Sequence, residues 1–144
     1  MLPVTRWFIK AGILYLVAGL LLLFVDSVPR YDAGVNLLPV YWHMIVVGWI
    51  TQLIMGVSIW MFPRKRRDRE KTESVLPWFV FWLLNIGLIL RFLSEPFLEI
   101  GLHWMGTRWF VFLSVAFQLG ACILYVVEIW PRLQTRKQRK QRGR

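Results

Sequence analysis

The sequence predicts an all-α fold, an antiparallel four-helix bundle integral to a membrane. Hydrophobic residues make up 57% of the 144 and charged residues only 18%. The charges are bunched between four apolar runs, each close to the ~20 residues that a helix needs to cross a bilayer core. Short alternating segments of the barrel type are absent, so helices are the way left to satisfy the backbone in lipid.

The first run spans residues 7–25, Trp7 to Val25. It is longer than the apolar core of a typical signal peptide, and Asp26-Ser27-Val28-Pro29 lacks a small-x-small cleavage site, so a retained helix is expected. Pro29, Gly34, Asn36 and Pro39 then break any helical period and mark a loop. The second run, residues 40–62, carries Gly48, Gln52 and Gly56 at a spacing of four. Small residues on one face let a neighbouring backbone approach, and the amide can bond across the gap. A charged segment, Pro63 to Glu73, follows. The third run covers residues 75–93, with Pro77 in its first turn, where a missing N–H costs little. Pro96 is expected to end or kink that helix near Ser94. Residues 97–104 are amphipathic enough for a short interfacial helix. The fourth run, residues 109–130, contains the single cysteine, Cys122, which reads as a small packing residue. Residues 1–131 thus form one four-helix transmembrane domain, and 132–144 a basic tail too poor in apolar residues to pack.

The formal net charge of +10 raises the question of nucleic acid. Fifteen of the eighteen basic residues flank the start of helix 1, the end of helix 2 or the end of helix 4. Only Arg30, Arg91 and Arg108 lie on the other side, where Asp26, Asp32, Glu95 and Glu99 outnumber them. That asymmetry places both termini and the middle loop in the cytoplasm, with the basic tail against anionic lipid headgroups. No stacking aromatics accompany the tail, so no nucleic-acid partner is expected. Trp7, Trp42, Trp60, Trp78, Trp104, Trp109 and Trp130 gather at helix ends, as interfacial anchors do.

Polar groups inside the membrane are costly unless paired, and so are informative. Gln52, Asn85 and Gln118 fall at similar depth near the bilayer centre. They read as an interhelical hydrogen-bond network, with a ligand or quinone site as the alternative. At the outer face stand both histidines, His43 and His103, together with Arg91, Glu95 and Glu99. Neutral imidazoles ligate haem iron or another transition metal, and two could share one haem. The opposing reading is of solvated or hydrogen-bonded histidines. His43 is expected to point along Val47, Ile50, Ile54 and Met61, away from the Gly48–Gln52–Gly56 face. Arg91 and Glu95, four apart, form an ion pair or offer a cation to an anionic group such as a haem propionate. There is no Gly-rich phosphate loop, HExxH or Ser/His/Asp pattern, and the chain is not expected to be an enzyme on its own.

The stretch Tyr41-Trp42-His43-Met44-Ile45-Val46-Val47-Gly48-Trp49-Ile50-Thr51-Gln52, continuing through Gly56 to Trp60-Met61-Phe62-Pro63-Arg64, resembles the second helix of haem-copper oxidase subunit I. It is most similar to small bacterial membrane proteins described as cbb-type oxidase subunit I-like. Phe8-Ile9-Lys10-Ala11 to Gly19, and Asn85-Ile86-Gly87-Leu88 to Arg91 with Glu95-Pro96, resemble the same proteins. The resemblance covers about the first two thirds of the chain and is weak in helix 4. It implies the bacterial inner membrane and a respiratory-chain association. It also implies that His43 is an axial ligand of a b-type haem, with Arg91 and Glu95 beside it. The other axial ligand and the oxygen-reducing site of full-length oxidases come from later helices that this chain lacks. Oxygen reduction by this chain alone is therefore not expected, and His103 or a partner must complete the haem site. The expected function is electron transfer or haem sensing. The alternative is a non-catalytic small subunit packed against a larger membrane complex, or a homo-oligomer. A channel or transporter is weaker still, since no inverted repeat is visible.

Overall fold

The computed structural model describes residues 3–28, 36–62, 75–98 and 105–133. They form four long helices: α1 (Pro3–Asp26), α2 (Leu38–Met61), α3 (Leu76–Leu98) and α4 (Met105–Ile129). A 3₁₀ turn, Trp130–Arg132, continues α4. All four helices are long and apolar enough to cross a membrane. The 24 residues of α1 or of α2 span roughly 36 Å, against a hydrocarbon core of about 30 Å. There is no strand among the described residues. The all-α four-helix bundle expected from the sequence is the fold observed.

The helices reach further than the apolar runs suggest. Helix α1 starts at Pro3, where a proline's fixed φ and missing N–H suit a first turn. Helix α3 runs through Pro96 to Leu98 and does not end near Ser94. So close to the C-terminus Pro96 removes a single ladder bond, to the Phe92 carbonyl. Ser94 Oγ ties the same turn together by donating to the Leu90 carbonyl at 2.7 Å. The interfacial helix expected over 97–104 is thus in part an extension of α3, and residues 99–104 lie outside the described residues. So do the basic segment that follows α2 and nearly all of the tail.

Lipid is as apolar as leucine, so close van der Waals contact and polar links must hold such helices together. The α1–α2 contact follows this rule. A Cβ on Gly48 would lie 2.7 Å from the Tyr15 side chain, and one on Gly56 would lie 2.8 Å from Phe8 Cβ. Only glycine admits α1 at those two levels. Helices α3 and α4 form the second tight pair, with Gly87 facing Ser114 and Gln118. The pairs meet along α2 and α3, while α1 and α4 do not pack on each other. Helices α2 and α3 are therefore central, with α1 and α4 on the flanks. The core where the pairs meet contains Phe8, Met55, Ile59, Val80, Phe81, Leu84 and Leu88. Phe81 collects aromatic rings from both sides, edge-on to Phe8 at 5.2 Å and to Trp78 at 6.2 Å.

Candidate functional site

Helix α2 is not α-helical throughout. Leu38–His43 and Gln52–Met61 are α-helical, and between them Met44–Thr51 is π-helical. Thr51 Oγ1 donates to the Val46 carbonyl, five residues back, at 2.9 Å. His43 and Gln52 are nine residues apart, about two and a half α-turns, which would set them on opposite sides. The i→i+5 ladder takes more residues per turn, so the same nine residues make about two turns. Both side chains then face α3. The expectation that His43 points away from the Gln52 face is overturned, and the π segment is the reason.

At one end of the bundle His43 meets the last turns of α3. Its Nδ1 lies 2.7 Å from the Pro39 carbonyl and 3.2 Å from Glu95 Oε2. The ring hydrogen bond goes to Pro39, and Glu95 Oε2 is buried without a hydrogen bond of its own. The other carboxylate oxygen, Oε1, accepts from Arg91 Nε at 3.1 Å and lies 3.1 Å from Arg91 Nη2. Side-chain exposure is 9% for Glu95, 20% for Arg91 and 30% for His43. The carboxylate is thus sealed inside, while the imidazole keeps an edge open. With Nδ1 as the donor to Pro39, the neutral form of His43 has its lone pair on Nε2, which has no partner among the described residues. A backbone carbonyl on one ring nitrogen, leaving the other as a lone pair, is the arrangement that orients a histidine for a metal. Such an arrangement would leave Nε2 able to ligate a haem iron. His103, the second candidate ligand, lies outside the described residues. Among the described residues no three of His, Cys, Asp and Glu converge so as to hold a bare metal ion.

The mid-depth amides divide. Gln52 Nε2 donates to Asn85 Oδ1 at 2.9 Å, and Asn85 Nδ2 donates to the Phe81 carbonyl at 2.7 Å. Gln52 is fully buried and its Oε1 has no partner. Gln118 does not join this pair. It donates to Ser114 Oγ at 3.1 Å, and Ser114 in turn donates to the Gly87 carbonyl at 2.7 Å. Equal depth is not adjacency, because α4 packs on α3 away from α2 at this level. The Gln52–Asn85 amides therefore link α2 to α3, while Gln118 bonds within α4 to Ser114, whose hydroxyl makes the link to α3.

Three polar features at the other end had no reading in the sequence. Ser58 Oγ and Tyr125 Oη are 2.7 Å apart, linking α2 to α4. Glu128 and Arg132 form a buried ion pair one turn apart. Arg132 Nη1 also donates to the carbonyls of Ile59 and Phe62, at 3.3 and 3.0 Å. A helix leaves its last carbonyls without intrahelical partners, and a guanidinium from α4 closes α2 here, where the helix dipole favours a cation. The spacing of four between Glu128 and Arg132 was the available signal, hidden because Arg132 read as the first residue of a basic tail.

Compared with known proteins, the chain matches no family model, no curated protein and no solved structure.

Proposed function

We propose that this chain is a respiratory-chain-associated membrane protein that binds one b-type haem through His43, for electron transfer or sensing. The observation that carries this is the state of the imidazole. Nδ1 is committed to the Pro39 carbonyl, so Nε2 is free as a ligand, and the ring keeps an open edge at the end of the bundle. The resemblance of Tyr41 through Arg64 to the second helix of haem-copper oxidase subunit I points to the same residue. A haem bound there would supply one-electron chemistry. Arg91 gives Nε and Nη2 to Glu95, and its remaining terminal nitrogen is available to a propionate. His103 or a partner subunit supplies the second axial ligand. The distribution of basic residues supports both termini lying in the cytoplasm, and the resemblance points to the bacterial inner membrane.

Protein purified from haem-replete membranes should show the sharp reduced-state bands of bis-imidazole ligation. His43→Ala should abolish them while the bundle stays inserted, and loss on His103→Ala would assign the second ligand. Haem-free wild-type protein, purified with its native partners, would refute the reading.

A second reading is favoured by one observation. Helix α4 leaves Phe112, Leu119, Ile123, Val126 and Val127 exposed along most of its length, a surface suited to a larger membrane complex or another copy. A non-catalytic small subunit would co-purify in fixed stoichiometry and carry no haem.

A further inference from the structure

We infer that Glu95, anchored by Arg91, is a positioning residue that increases the electron donation of the His43 imidazole and so lowers the reduction potential of the group it ligates. This rests on the proposed haem reading, but it concerns two residues of α3 and can be tested without haem.

The geometry has three parts. His43 Nδ1 donates to the Pro39 carbonyl, one turn back on its own helix. That contact sets the tautomer and needs nothing from α3. Glu95 Oε2 lies 3.2 Å from the same nitrogen and has no hydrogen bond of its own. A buried carboxylate without a donor is expensive, so its place beside an N–H already in use calls for an explanation. Arg91 supplies it by holding Oε1 with two nitrogens. The carboxylate is thereby fixed, and its second oxygen is kept against the imidazole.

A negative charge 3.2 Å from Nδ1 stabilises positive charge on the ring through space and so increases electron donation from Nε2, an effect that is large where water is excluded. A more basic ligand stabilises the more positive oxidation state of an iron. The direction is therefore a lower potential than a carbonyl-only histidine would give. Arg91 limits the size of the effect, since its charge offsets part of the carboxylate's.

The test uses full-length protein with ¹⁵N-labelled histidine, His103→Gln being added to isolate the His43 signals. In the haem-free form the Nδ1–H proton should resonate far downfield. Glu95→Gln should move it upfield while the Nδ1–H tautomer persists, because Pro39 still accepts. In haem-loaded protein with His103 intact, Glu95→Gln should shift the midpoint potential to a more positive value with the ligation bands retained. An unchanged Nδ1–H signal in Glu95→Gln overturns the inference, as does an unchanged or lowered potential. Absence of haem from the wild type would instead refute the proposed function, and the proton signals would still decide the role of Glu95.

Discussion

Gln52 and Asn85 sit where neither can reach water, so each depends on the other. Their bond is worth on the order of 0.6–2 kcal/mol in a membrane bundle, but losing one partner costs more than losing both. Asn85→Leu strands a fully buried amide and should destabilise by about 1–3 kcal/mol. The double variant Gln52→Leu with Asn85→Leu should recover most of that loss. Unfolding of the four proteins in mixed detergent micelles measures the cycle, and a double variant weaker than Asn85→Leu alone would show that the pair has further partners. These two residues were legible because a polar group in an apolar run announces itself. The partner of Gln118 was not, since depth follows from counting residues whereas azimuth follows from how three helices pack. Glu128 illustrates the opposite failure, an acidic residue next to a charged tail that looks ordinary until its burial is known.

Helix α2 carries the site because its middle is π-helical. Apolar length alone makes Leu38–Met61 a crossing helix, and that part could be read directly, since lipid demands the run whatever its neighbours are. The phase along the run could not be read. One extra residue per turn within Met44–Thr51 turns His43 through nearly half a circle relative to Gln52, and hydropathy barely changes. In a Cys122→Ser background, His43→Cys with Glu95→Cys should be joined by a short bis-methanethiosulfonate linker. Deleting Val47 should let the ladder return to α geometry with His43 still near the face of Gln52, because eight residues make about 2.2 α-turns, and the same pair should still be joined. Failure of the linker to join the pair in the undeleted helix would mean that the π segment does not turn His43 toward α3.

The whole bundle consists of two hairpins, α1 with α2 and α3 with α4, each closely packed within itself. They are joined by the Phe81 ring cluster and by polar contacts at four levels: His43–Glu95, Gln52–Asn85, Ser58–Tyr125 and Arg132 with the Ile59 and Phe62 carbonyls. A gene cut within the basic segment between α2 and α3, with both halves co-expressed, should yield halves that insert and co-purify. Halves that insert yet fail to associate would show that the covalent connection, and not the interface, holds the bundle together. Arg132 adds a matter of timing. The carbonyls it closes at the end of α2 belong to Ile59 and Phe62, 73 and 70 residues earlier in the chain. At a translation rate of about 5–20 residues per second, α2 waits roughly 4–15 s for the side chain that seals it. A ribosome that stalls just before Arg132 therefore leaves a chain with all four helices made but raw backbone at the end of α2, the kind of flaw by which a quality-control protease can tell an unfinished chain from a finished one.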